Sequence, residues 1–73
     1  MTRPSLPRLA VAAFGPGAAV LVYRRAPGLW AAEVSRPVAR LCLAVDAPTR
    51  PRAAAALEDA LRGVVERAKG RAA

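Results

Sequence analysis

The residues of this chain with the clearest chemistry are its arginines. All but one of the 12 basic residues are arginine, and with 5 acidic residues the formal net charge is +7. A guanidinium carries a fork of N–H donors that matches the oxygens of a phosphate and the acceptor edge of guanine. An excess of this kind is typical of domains that bind nucleic acid, an acidic protein surface or an anionic membrane face.

The same composition has a second explanation. Arginine, alanine and proline are the residues that a GC-rich genome favours, which indicates a bacterial or phage source. On this interpretation the charge only keeps a small, largely apolar domain in solution. The composition leaves both explanations open.

Residue types that carry out catalysis are poorly placed. The chain has no histidine, and Glu58 and Asp59 are adjacent, so on a helix they point apart instead of converging on a substrate. The turn Gly15-Pro16-Gly17 lacks an amide donor and the following lysine of a phosphate loop. We therefore expect no enzymatic activity, no metal or other cofactor and no small-molecule substrate.

Cys42 is the single cysteine, and it lies between Leu41 and Leu43. It has no partner for an internal disulfide, which fits the reducing cytosol, so we expect a cytoplasmic protein. Its apolar neighbours favour a strand residue without chemistry over a nucleophile.

The arginines need a scaffold, and the chain is long enough for one small domain. Roughly 60% of the unfolded surface is buried in a domain of this size, so the stability margin is thin and a homodimer would add burial. The domain is predicted to span residues 9–70, with residues 1–8 as a flexible basic arm and residues 71–73 as a tail.

Apolar and polar residues alternate in the middle of the chain, over three runs separated by Pro-Gly and Arg-Pro dipeptides. This period of two is typical of strands, and the dipeptides favour turns. The sequence therefore predicts an α+β fold with a three- or four-stranded antiparallel meander. The predicted strands are residues 20–25, 29–35 and 38–45, with turns at Pro27-Gly28 and Arg36-Pro37.

Two-residue loops at both turns fix the register of the predicted sheet. Arg25 then lies opposite Trp30, and the next pairs along are Tyr23–Ala32 and Leu21–Val34. One face is apolar and is the predicted core face. It holds Leu21, Tyr23, Trp30, Ala32, Val34, Leu41, Leu43 and Val45, and the other face holds Val20, Val22, Arg24, Ala31, Glu33, Arg40 and Cys42.

Glu33 falls opposite Arg40 on the second predicted face, with Arg24 one strand away. One interpretation is an exposed cross-strand ion pair, which stabilises the fold by about 0.3 kcal/mol. The other is that Arg24 and Arg40 are presented to a nucleic-acid groove while Glu33 holds them in place.

The N-terminal segment combines charge with apolar residues. Arg3 and Arg8 lie in the predicted arm, which is able to follow a phosphate backbone. The run Leu9–Phe14 is interpreted as a short strand that pairs with residues 18–25. The apolar stretch of residues 9–23 is too short for a membrane span and is broken by Gly15-Pro16-Gly17, and the prolines before it and the lack of a small-residue cleavage site disfavour a signal peptide.

A helix is predicted from about Arg50 to Lys69, with Thr49 as its N-cap and Gly70 as its stop. Glu58 and Arg62 form a favourable i,i+4 pair. The apolar stripe repeats with the helical period and faces the sheet. Its members are Ala53, Leu57, Ala60, Leu61, Val64, Val65 and Ala68.

Residues 23–34 read YRRAPGLWAAEV, and Thr49-Arg50 opens an alanine-rich helix. One DNA-binding family has this pattern: an aromatic residue followed by basic ones, a turn glycine, a tryptophan among small residues, and a helix that starts with threonine and a basic residue. Residues 20–67 resemble its members, the Arm-type domains at the N-termini of many phage and transposon integrases.

This resemblance implies a three-stranded sheet that enters the major groove of DNA with the helix packed behind it. Tyr23 and Trp30 would then lie in the core, and Arg24, Arg25 and Arg40 would contact DNA. A second resemblance is to the HicB-like antitoxin fold, in which a strand similar to residues 28–37 (GLWAAEVSRP) precedes an Ala- and Glu-rich helix.

Charge and resemblance together predict a small basic DNA-binding accessory protein of a bacterial or phage mobile element. Its phosphate contacts are expected on the open sheet face and the N-terminal arm, through Arg3, Arg8, Arg24, Arg25 and Arg40. The alternative is a non-enzymatic module that binds an acidic protein partner, such as a phage-encoded inhibitor, an antitoxin-like protein or a small subunit of a larger complex.

Overall fold

The computed structural model describes residues 5–36 and 41–72. Within them three strands form one antiparallel sheet in the order β1-β2-β3, and helices from both ends of the chain pack on one face of it. The α+β fold with a three-stranded antiparallel sheet and a C-terminal helix is therefore confirmed. The elements are α1 (Leu6–Phe14), β1 (Ala19–Ala26), β2 (Leu29–Arg36), β3 (Leu41–Ala47) and α2 (Arg50–Ala72).

Helix α1 replaces the strand that was predicted over residues 9–14. Ser5 is its N-cap and accepts a 3.4 Å hydrogen bond from the Arg8 amide, and Pro7 lies in the first turn, where a missing N–H costs nothing. Gly15 ends the helix with a φ of 95°, a conformation that favours glycine.

The prediction was wrong because the run from residue 9 to residue 14 is apolar throughout and shows no period by itself. The helical spacing i, i+3, i+4, i+7 appears once Leu6 is included, since Leu6, Leu9, Ala10 and Ala13 all contribute to the core. The predicted arm is also shorter than expected, because α1 begins at Leu6, and residues 1–4 lie outside the described ranges.

The first hairpin has the predicted two-residue loop. Ala26 lies opposite Leu29, and Gly28 has a φ of 73° in the turn. A β-bulge then leaves Arg25 without a partner in the ladder, so Arg24 lies opposite Trp30. A bulge shifts by one position the pairing of every residue on the side away from the turn, which here is the stretch from Ala19 to Arg24.

The bulge reverses the faces of β1 relative to the prediction. The expected pairs Tyr23–Ala32 and Leu21–Val34 are wrong, because Ala32 lies opposite Val22. A shift of one residue exchanges the two faces of a strand. Val20 and Val22 therefore point toward the helices, and Leu21 and Tyr23 lie on the open side.

The register of β2 with β3 differs from the predicted one by four residues. Val34 lies opposite Leu43 and Ala32 opposite Val45, so the described part of β3 keeps the predicted faces. Glu33 consequently lies opposite Ala44 and not opposite Arg40. The first part of the predicted third strand, residues 38–40, lies outside the described ranges.

The core lies between the sheet and the two helices. Helix α2 contacts all three strands, and α1 contacts β1 and α2. Trp30 is half-buried against this core, as predicted. The buried members are Leu9, Ala10, Ala32, Val34, Ala53, Leu57 and Leu61.

Helix α2 largely follows the prediction. Thr49 caps it, since its side-chain oxygen accepts a 3.4 Å hydrogen bond from the Arg52 amide. Glu58 and Arg62 form the predicted ion pair. The helix continues through Gly70 to Ala72, so residues 71–72 are not the expected tail. From the predicted stripe, Ala53, Leu57 and Leu61 are buried, Ala60, Val64 and Val65 are half-buried, and Ala68 is exposed.

Candidate nucleic-acid interface

Arg25 is positioned by the bulge and held by an ion pair. Its Nη1 lies 2.9 and 3.1 Å from the two carboxylate oxygens of Asp46. The pair reaches from β1 to β3 across the strand between them, where Ala31 lies opposite Asp46. Both side chains are largely exposed, 57% and 44%. Arg25 therefore presents a guanidinium whose charge is neutralised locally.

Arg24 lies on the side of the sheet that carries the helices, contrary to the prediction that it lies on the open face. It is exposed, and it lies opposite Trp30, which in turn lies opposite Ala47 at the end of β3. Helix α2 begins only three residues after Ala47, at Arg50. Arg24 and the first turn of α2 thus occupy the same end of the molecule, next to the β1–β2 turn.

Two further arginines, Arg50 and Arg52, occupy that first turn and are exposed. The turn contains no acidic residue. Backbone dipoles place positive charge at a helix N-terminus, where carboxylates stabilise the helix and cations do not. We call Arg24, Arg50 and Arg52 the hairpin-end arginines. No ion pair among the described residues involves any of them.

Several other arginines have structural contacts. Arg36 donates a 3.1 Å hydrogen bond from Nη1 to the Phe14 carbonyl, at the C-terminal end of α1. Arg62 pairs with Glu58 and lies 3.7 Å from Asp59. In the next turn of α2, the Nε of Arg67 donates to the Gly63 carbonyl at 3.2 Å.

Arg8 lies away from the hairpin end. It lines a groove of about 390 Å³ between α1 and α2, together with Arg62, Glu66 and Lys69. The fold therefore brings Arg24 and Arg25 to one end and leaves Arg8 on another surface. The remaining predicted contacts, Arg3 and Arg40, lie outside the described residues.

The open sheet face is not basic in the described part of the chain. The side chains that alternate onto it are mostly small or apolar. Its charged groups are Glu33 and the ion pair of Arg25 with Asp46. The members of this face are Leu21, Tyr23, Ala31, Glu33, Ser35, Cys42, Ala44 and Asp46.

Arg50 and Arg52 are the candidate contacts that sequence reasoning missed. The signal was present in the sequence, since basic residues directly after an N-cap lack the favourable dipole interaction that acidic residues gain there. Such a pattern favours an anionic ligand as the reason for the charge.

Within residues 5–36 and 41–72, no three His, Cys, Asp or Glu side chains are grouped so that they could hold a metal ion. The helices in those ranges include none with the length and apolar character needed to cross a membrane. No protein-family model matches the chain, and neither does any curated protein or solved structure.

Proposed function

We propose that the protein is a small nucleic-acid-binding accessory protein of a bacterial or phage mobile element, with DNA as its ligand, and that the hairpin-end arginines contact the phosphates. One observation carries the proposal. Arg24, Arg50 and Arg52 are exposed at the positive end of α2, and no carboxylate of the described residues pairs with them. Arginines in such a position attract phosphate oxygens.

The proposal changes the binding surface that the Arm-type resemblance implies. In that family the sheet enters the groove, whereas the open face here carries Glu33 and a neutralised arginine. The end of the molecule at the β1–β2 turn is a better match to a phosphate backbone, because it carries three cations that pair with no carboxylate of the described residues. Binding through phosphates positions a protein on DNA without reading its sequence.

The test is a fluorescence-anisotropy titration of a mixed-sequence duplex at several salt concentrations. Replacing all three hairpin-end arginines by glutamine is expected to weaken binding at low salt. Each lost phosphate contact lowers the slope of log K against log salt by about 0.9, so the triple variant is expected to lose a slope of about 3.

The matched control replaces Arg8, Arg67 and Lys69 by glutamine, which lowers the net charge by the same amount on other surfaces. It is expected to keep most of the affinity and the slope. Equal losses in the two triple variants would show that only net charge matters, and an unmeasurable affinity of the unsubstituted protein at low salt would contradict the proposal.

A second candidate function, binding of a protein partner, is favoured by the open sheet face. Leu21 is 53% exposed there, and Cys42 and Ala44 are exposed on β3, two strands away on the same face. A surface with exposed aliphatic side chains and few charges is typical of protein interfaces. Leu21→Asp with Ala44→Asp is expected to leave DNA binding intact if DNA is the ligand, and to abolish retention of a bound protein if this candidate is right.

A further inference from the structure

The edge of the sheet at β1 is open on its outer side. In the described residues β1 pairs only with β2, so about half of its backbone N–H and C=O groups point away from the sheet. Natural edge strands are protected by lysine, proline, inward-pointing charges or bulges. The stretch from Val20 to Tyr23 has none of these, because the bulge and both arginines come later in the strand.

Exposed aliphatic side chains accompany this edge. The large hydrophobic side chains that are exposed in the described chain are Leu21, at 53%, and Val11, at 44%. Leu21 lies on β1 itself, and Val11 lies on α1, the helix that packs on β1. Leu21 lies on the open side of the sheet and Val11 on the helix side, so each side of the sheet carries an exposed aliphatic residue on or next to β1.

The core of the described residues is small, which favours the burial of further apolar surface. The largest fully buried side chains of the described residues are Leu57, Leu61 and Val34. A chain of 73 residues leaves much of its apolar surface unburied as a single copy. Pairing with another strand satisfies the open backbone groups and covers Leu21 in the same step.

We propose that β1 pairs antiparallel with β1 of a second copy, with Leu21 opposite its own counterpart, to form a two-fold dimer with a continuous six-stranded sheet. Side chains of directly opposite residues lie on the same face, so the two-fold axis is perpendicular to the sheet. Both helical layers then lie on one side of the sheet, with the two α1 helices nearest the axis because α1 packs on β1. This inference does not depend on nucleic-acid binding.

The charge on β1 favours the antiparallel orientation of a second copy over the parallel one. The charged residues of β1 are Arg24 and Arg25, at one end, and Asp46 neutralises the latter. Antiparallel pairing centred on Leu21 separates the two Arg24 residues by about 20 Å along the strands. That distance exceeds the Debye length of about 8 Å at physiological salt, whereas parallel pairing in register would place the two side by side.

Sedimentation equilibrium over a range of protein concentrations tests the dimer. Leu21→Lys places two ammonium groups against each other at the axis and is expected to raise the dimer Kd by at least about tenfold. Ala44→Lys is the matched control, because Ala44 is exposed on the same face but on β3, at the other edge. It is expected to leave the Kd unchanged.

A monomeric unsubstituted protein at all concentrations would overturn the proposal. Equal weakening by Leu21→Lys and Ala44→Lys would also overturn it, because that result indicates two sheets stacked face to face. Unchanged dimerisation of Leu21→Lys would show that β1 is not at the interface.

Two further measurements separate loss of pairing from loss of folding. Amide hydrogen exchange of β1 is expected to slow as protein concentration rises, while protection in β2 and β3 stays constant. In a Cys42→Ser background, Leu21→Cys is expected to form an intermolecular disulfide on mild oxidation and Ala44→Cys is not. Concentration-independent exchange in β1, or equal cross-linking by the two cysteines, would contradict the dimer.

Discussion

Asp46 controls how much charge Arg25 presents at the hairpin end. The carboxylate accepts two hydrogen bonds from one guanidinium nitrogen, and both side chains are exposed by more than a third. Exposed pairs contribute at most about 1 kcal/mol to stability. The pair therefore matters more for the local charge than for the fold.

Asp46→Asn releases Arg25, and on the proposed function it is expected to strengthen DNA binding severalfold and steepen its salt dependence. The free energy of unfolding is expected to fall by less than about 1 kcal/mol. Anisotropy titration and urea unfolding measure the two effects. Glu33→Gln, which changes the net charge equally but lies in mid-sheet, is the control. Weaker binding by Asp46→Asn would contradict the role given to Arg25.

Residue-scale contacts were predictable where both partners lie within one helical turn. The Thr49 cap and the Glu58–Arg62 pair depend only on spacing along α2, and both were predicted. The pairing of Arg25 with Asp46 was not predicted, because it spans three strands and exists only with the bulge in place. No local pattern in the sequence marks that bulge.

Gly63 and Gly17 distinguish two properties of glycine: its low helix propensity and its tolerance of a positive φ. A Cβ added at either position meets no atom within 4 Å, but Gly63 lies inside α2 while Gly17 has a φ of 93°. Gly63→Ala is expected to raise the free energy of unfolding by about 0.5–1 kcal/mol, because alanine restricts the unfolded chain and favours helix.

Gly17→Ala is expected to lower stability despite the open space around it, because alanine is strained at that φ. Urea unfolding curves with equal slopes measure both changes. Equal effects of the two substitutions would show that backbone conformation does not decide the outcome.

The first turn of α2 holds arginine where the helix dipole favours acid. Arg52→Glu is therefore expected to stabilise the protein by about 0.3–1 kcal/mol while it weakens DNA binding if the hairpin end is the interface. Thermal unfolding and the anisotropy titration are the measurements. A variant that is less stable and binds DNA as before would contradict both parts of this prediction.

The elements themselves were predictable to the extent that their patterns are periodic. The meander and α2 have clear periods of two and near four, and both were predicted. The faces of β2 and β3 were right because a change of four residues in register preserves the alternation. The faces of β1 were wrong because the bulge changes the alternation by one, and α1 was misassigned because its run of apolar residues has no visible period.

At the scale of the whole molecule, stability rests on few large side chains. Leu57 is fully buried and belongs to the core between the sheet and the helices. Leu57→Ala is expected to cost about 2–5 kcal/mol, which is close to the roughly 3–5 kcal/mol that a core of this size supplies.

The Leu57→Ala variant is therefore expected to be largely unfolded, as measured by circular dichroism and dispersion of amide NMR signals. Val65→Ala, at a half-buried position in the same helix, is the control and is expected to remain folded. A cooperative unfolding transition of Leu57→Ala at the original midpoint would show that the core extends beyond the described contacts.

Net charge belongs to the whole chain, and the sequence shows it directly. Where that charge lies depends on register, on ion pairs and on which ends of the elements meet. The prediction placed Arg24 on the open face, and the bulge places it on the helix side, at the end of the sheet where α2 begins. A basic protein was thus predictable, whereas the position of its basic surface required the fold.

The bulge at Arg25 also bears on the order of folding events. Regular pairing continued from Ala26 and Leu29 would place Tyr23 opposite Ala32 and gather both aromatic residues of the hairpin on one side. A peptide of residues 18–36 has no helices to cover Val20 and Val22, so we expect it to adopt that regular register. Docking of α1 and α2 then selects the native pairing, which makes the bulge a late step of folding, formed together with the core instead of before it.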